Sequence, residues 1–299
     1  MTSEAGRREG LALITLAALS WGTIGVVVGL LYAVAETNPF SVGFLRLMIA
    51  APALLLLCRW MVGANFWRVQ RQHWLPLILI GVAFAGYQVA YFAAIPRLGV
   101  AAAVMINICS APVFTAILAA LFLRERLTRL ILVALVGAIT GTALLVGGAP
   151  ETATPGDLWV GAALALTAGL SYSLVALAGR VVAPHYHPLQ PIALSFTLAA
   201  LLLLPPALAT GLVLSYPPEG WLLLLYLGLV PTALAYGLYL RGLRTVPATV
   251  AATLSLLEPL GSALLAVLLL GEQISGLGLV GGGLLLASMG LLYLGRETR

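Results

Sequence analysis

The sequence predicts an all-α polytopic membrane protein with ten transmembrane helices in two inverted five-helix repeats. Three observations predict it. Of the 299 residues, 62% are hydrophobic and only 8% charged, with a mean hydropathy of +1.08, a balance outside the range of soluble domains. Apolar runs of about twenty residues follow one another with short polar breaks, each able to cross a hydrocarbon layer of ~30 Å at 1.5 Å per residue. The second half also falls on the first at a shift of 147 positions: Gly81 meets Gly228, Arg97 meets Arg244, Pro112 meets Pro259 and Glu125 meets Glu272. A β-barrel would instead alternate apolar and polar residues over ~10-residue segments.

The first span, 10–34, follows Arg7 and Arg8. It is too long for a signal peptide and lacks a small-residue cleavage pattern, so it reads as a retained helix. The second, 39–61, opens on Asn38-Pro39, and the third, 74–95, closes at Pro96. Spans at 98–122 and 128–148 complete a first repeat, 1–148. A linker, 149–156, carries Pro150 and Pro155. The second repeat, 157–299, holds spans at 157–182, 188–210 (opening on Pro188), 220–242, 246–270 and 274–295. The spacings Gly25/Gly29, Gly137/Gly141 and Gly278/Gly282 permit close helix packing without requiring a dimer.

Every basic residue other than histidine is arginine. With the N-terminus cytoplasmic, thirteen arginines fall inside, Arg97 alone falls outside, and Arg46 lies within span two. This asymmetry places both termini in the cytoplasm. The arginines sit singly or in small groups at span ends, which argues for topology signals and against a nucleic-acid partner. An odd number of spans per repeat sets the two halves upside down relative to each other, a signature of alternating-access transporters.

Charges inside spans cost several kcal/mol and demand a reason. Arg46 reads either as a contact for a ligand carboxylate or a gate, or as a side chain that snorkels or bonds backbone carbonyls. Glu258 reads as an ammonium partner, a proton site, a counter-ion to Arg46, or a structural glutamate. Polar and aromatic groups gather at similar depth: Trp21, Tyr87, Gln88, Tyr91, Asn107, Ser110, Tyr172, Tyr236, Tyr239 and Ser255. Together they would line a cavity offering hydrogen bonds and ring faces to a small amphipathic solute. Pro112 and Pro259, matched in the repeats, are expected to kink spans four and nine as gating hinges.

Cys58 and Cys109 lie in apolar runs and read as buried thiols. His185 and His187 fall in a solvated loop, no metal site is expected, and no cofactor is called for. The chain has no H-E-x-x-H, G-x-S-x-G or phosphate-loop motif. The clustered acids, histidines or metal site that an intramembrane enzyme would need are also missing, so the sequence is read as that of a non-enzyme.

The early Ser20-Trp21-Gly22, Arg46 and two proline-to-glutamate segments, Ser110–Glu125 and Leu257–Glu272, resemble the drug/metabolite transporter superfamily, EamA type, over the whole chain. Within it the chain looks most like YddG-type exporters of aromatic amino acids. The resemblance implies ten helices around a central cavity in the bacterial inner membrane, and export of small metabolites. An amino-acid zwitterion is the expected substrate, with cationic drugs or toxicants the alternative. The second repeat departs from the first: Ser195 stands near the position equivalent to Arg46, and Ala111 stands opposite Glu258. The one arginine and one glutamate would therefore give the cavity two poles.

Overall fold

The computed structural model describes residues 4–123, 129–147, 154–247, 250–251 and 254–294. Glu125 and most of the linker lie outside them. All elements among the described residues are helical. In chain order they are α1 (Glu4–Val34), α2 (Pro39–Val62), α3 (Trp74–Leu98), α4 (Val100–Leu123), α5 (Arg129–Gly147), α6 (Pro155–Val182) and α7 (Leu189–Ala209). Then come α8 (Pro218–Gly242), α9 (Leu257–Leu270) and α10 (Gly276–Leu294). The first eight are long and apolar enough to cross a membrane, whereas α9 and α10 are shorter apolar helices. Among the described residues, the ten expected spans thus correspond to eight helices of spanning length and two shorter apolar ones.

Local chemistry sets several helix ends. Asn38 caps α2, its side chain accepting from the Ser41 amide at 2.9 Å, with Pro39 at the first helical position. The third span runs past its expected end, carrying Pro96 in its last turn, and stops where Gly99 takes a φ of +79°.

Prolines disturb spans eight and nine in different ways. In α8, Pro231 cannot bond the Leu227 carbonyl four residues earlier. The Thr232 hydroxyl donates to that carbonyl instead, at 2.6 Å, and the helix widens to a π-turn over Leu229–Leu234. In span nine, Pro259 cannot bond the Ser255 carbonyl. The Glu258 amide takes it at 3.1 Å, and the chain turns at Ser255–Leu256 before α9 begins. Pro259 therefore sits in the first turn of α9, where a missing N–H costs little, and not within a kinked continuous helix as expected. Pro112 does lie inside a continuous helix, α4.

The halves interlock. The first helix of each packs on the third helix of the other: α1 on α8, and α6 on α3. α2 packs on α7, and α5 on α10. The α5–α10 seam is made close by glycines, with Gly141 against Gly281.

Hydrogen bonds sort the connections to two ends. At one end Glu9 meets Arg241, the Gln70 amide donates to the Tyr186 hydroxyl, and Gln190 donates to the Arg68 carbonyl. At the other, Thr37 meets Tyr216, Asn38 donates to the Gly211 carbonyl, and the Val213 amide donates to Ser41. α1 therefore starts at the end where α6 finishes, so the first helices of the halves run in opposite directions. The first end is rich in arginine (Arg7, Arg8, Arg59, Arg68, Arg71, Arg180, Arg241 and Arg244), whereas Arg97 lies at the other.

Candidate functional site

A cavity of about 340 Å³ lies between the halves, within the range of small-molecule sites. α1 contributes Trp21 and Ile24, α2 Arg46, α3 Phe84 and Tyr87, and α4 Ile108, Ala111, Pro112 and Thr115. The other half contributes Tyr172, Ala176 and Arg180 from α6, Tyr236 and Tyr239 from α8, the turn residue Ser255, Glu258 from α9, and Met289 from α10. The lining reaches Arg180 in the last turn of α6, at the arginine-rich end. At the opposite end Glu272 joins the halves, its carboxylate accepting from the Val100 and Ala101 amides at the start of α4.

Arg46 is 2% exposed and is held from two sides. Its Nε donates to the Thr232 hydroxyl at 2.9 Å, and its Nη1 donates to Gln88 Oε1 at 2.9 Å. Its Cζ lies 5.8 Å from the centre of the Phe92 ring, within cation–π range. No carboxylate lies within salt-bridge distance among the described residues. The π-turn supplies this geometry: the hydroxyl that donates to the Leu227 carbonyl is the one that receives Arg46.

Glu258 stands in the first turn of α9, where the helix dipole favours a negative group. The break at Ser255–Leu256 turns it into the cavity, as discontinuous helices do in transporter binding sites. Like Arg46, it forms no salt bridge among the described residues.

Rings connect the two halves. Trp21 lies 5.1 Å from Tyr239 and 5.3 Å from Tyr236. Tyr236 meets Phe196 edge-on, Phe196 meets Phe84 at 4.1 Å, and Phe84 meets Tyr87 at 5.5 Å. Tyr87 then meets Tyr91 and Tyr172. Three buried polar side chains near this wall have atoms without a protein hydrogen bond: Trp21 Nε1, Gln88 Nε2, and both amide atoms of Asn107.

Of the residues singled out from the sequence, Trp21, Arg46, Tyr87, Pro112, Tyr172, Tyr236, Tyr239, Ser255 and Glu258 line the cavity. The other five do not. Gln88 stands behind Arg46 as its acceptor. Tyr91 and Asn107 are buried beside the lining, and Ser110 bonds the Asn107 carbonyl between α4 and α6. Pro259 shapes the turn without lining the cavity. Ser195, the counterpart of Arg46, bonds the Leu77 carbonyl and joins α7 to α3. Phe84, Thr115 and Arg180 also line the cavity, and Thr232 supports it through Arg46. Phe84 could have been found from the sequence, because it stands one helical turn from Tyr87 on the same face. Thr232 carried one faint signal, its place next to Pro231.

The profile of the EamA-like transporter family matches residues 8–147 and 159–294. An uncharacterized transporter of Bacillus subtilis (strain 168), YwfM, is 32% identical over 286 residues, covering 96% of this chain and 93% of that protein. An uncharacterized transporter of Archaeoglobus fulgidus is 31% identical, covering 97% of each chain. An uncharacterized inner membrane transporter of Salmonella typhimurium, YicL, is 28% identical over 98% of this chain and 97% of that one. A solved structure superposes with a TM-score of 0.66 at 20% identity, covering 96% of this chain and 98% of that one, which supports the fold alone.

Proposed function

Since the chain belongs to the EamA-like transporter family, we propose that this membrane transporter exports amino acids, aromatic or other neutral ones, by alternating access. One observation carries the reading: Arg46 and Glu258 line one cavity, each without an opposite charge within bonding distance among the described residues. A buried charge without a counter-charge is costly. A zwitterion supplies both missing partners at once, its carboxylate to Arg46 and its ammonium to Glu258. The rings of Trp21, Tyr87, Tyr172, Tyr236 and Tyr239 receive the side chain. Trp21 Nε1, without a protein partner, offers a further donor to a polar solute.

The cytoplasm is assigned to the arginine-rich end, which the cavity reaches through Arg180, in the membrane of a bacterial cell. The conformation is then the one that loads substrate from inside, with the outer side closed where Glu272 holds α4. Substrate exits when the halves rearrange around the same residues.

Flux of labelled neutral amino acids into proteoliposomes tests this. Arg46→Ala and Glu258→Gln are each expected to abolish saturable uptake. Uptake equal to that of the unaltered protein in both variants overturns the two-pole assignment. If Arg46→Ala leaves flux of a lipophilic organic cation intact while Glu258→Gln removes it, the substrate is a cation, accepted by the glutamate and the rings.

A further inference from the structure

A second cavity, of about 310 Å³, opens at the arginine-rich end in the seam between the end of α2, the start of α7 and the end of α8. Its walls differ in kind. Met61, Leu189, Leu240 and Leu243 form an apolar side, which Gly237 continues. Arg241 and Arg244 form the other side together with His187.

Among the described residues the basic side is under-neutralised. Arg241 pairs with Glu9 at 2.8 Å. Arg244 donates to His187 Nε2 at 3.3 Å, a neutral acceptor. Burial, and then Arg244, push the His187 imidazole below its ordinary value, which keeps it in that accepting form. Among the described residues the two guanidiniums thus have one carboxylate between them, Glu9, which pairs with Arg241. Arg97, the repeat counterpart of Arg244, behaves otherwise and bonds the Ala93 carbonyl of its own helix.

The depth of the cavity points to its occupant. Met61 follows Trp60, which is 83% exposed at the end of α2, where an amphipathic ring marks the membrane–water interface. Arg241 stands in the last turn of the neighbouring span. Exposed apolar side chains lie further along both helices, Leu56 on α2 and Leu234 on α8. A basic pocket between spans at headgroup level, with an apolar wall facing its arginines, has the chemistry of an anionic headgroup and the start of its acyl chain.

We propose that this seam binds the phosphate group of an anionic phospholipid, held by Arg244 and Arg241, with one acyl chain against the apolar side formed by Met61, Leu240 and Leu243. The assignment is independent of what the central cavity carries.

Native mass spectrometry of the full chain in mild detergent tests it, with phosphatidylglycerol and phosphatidylcholine of matched chains offered in turn. Phosphatidylglycerol is expected to be retained several-fold better. The double variant Arg241→Gln/Arg244→Gln is expected to bring the two lipids level, and Arg97→Gln to leave the preference unchanged. Equal retention by the unaltered protein overturns the proposal, as does a preference that survives the double variant. Should the double variant not fold, Arg244→Gln alone is expected to halve the preference, and no change overturns the proposal. Inorganic phosphate is the third arm: displacement of phosphatidylglycerol by low millimolar phosphate would identify a site for the free anion and overturn the lipid assignment.

Discussion

Arg46 is the residue on which the central cavity turns, and its direction is set by neutral neighbours. Thr232 and Gln88 take two of its donors, leaving the rest of the guanidinium to the cavity. A hydrogen bond to a charged group contributes ~1.5–3 kcal/mol when buried. Thr232→Val is therefore expected to raise KM for a carboxylate-bearing substrate roughly tenfold with a smaller change in maximal rate, whereas Thr232→Ser is expected to restore it; proteoliposome kinetics read both. Arg46 and Glu258 were legible in the sequence because a charge within twenty apolar residues stands out. Thr232 was not, because a threonine in a span costs little wherever its hydroxyl finds a carbonyl. Asn107 and Ser110 suggested a lining role from their depth. Depth alone does not say which way a helix is turned, and these two are buried beside the lining rather than part of it.

At the scale of elements, the repeated proline has two outcomes. α4 runs continuously through Pro112, while span nine turns before Pro259. The sequence pairs the prolines, but the difference depends on which carbonyl finds a substitute donor, and that is decided by packing. Pro259→Ala returns an N–H that can bond the Ser255 carbonyl and straighten the span. Transport is expected to slow several-fold, with equilibrium binding of substrate much less affected; a paired flux and binding measurement separates the two. The Glu272 contact is a second element-level device, since it caps α4 across the boundary between halves. Glu272→Ala is expected to cost about 1–2 kcal/mol, seen as a lower melting temperature in detergent, with Glu272→Asp recovering part of it. The Pro112–Glu125 and Pro259–Glu272 segments were legible as repeats. That Glu272 would reach the start of α4, more than 170 residues earlier in the chain, was not, because a cap between halves leaves no local pattern.

For the whole molecule, the arrangement follows from duplication with an odd number of spans. The 147-residue shift was enough to expect antiparallel halves, and α1 and α6 do run in opposite directions. What the shift could not give is the exchange of partners, α1 with α8 and α6 with α3, which draws the cavity wall from both halves. Orientation is open to a direct check. Cysteine introduced at Asn65, at the arginine-rich end, is expected to resist a membrane-impermeant thiol reagent in intact cells, and cysteine at Ser215 is expected to react. Both positions are exposed, and the native Cys58 and Cys109 are buried. The reverse pattern would invert the assignment of cytoplasm. The ring contacts of Trp21 have one more consequence. The chain's five other tryptophans, Trp60, Trp67, Trp74, Trp159 and Trp221, are exposed, while Trp21 lies in the cavity against Tyr236 and Tyr239. Light emitted by that indole, isolated as the difference between the native protein and Trp21→Phe, should report occupancy of the cavity without any attached dye.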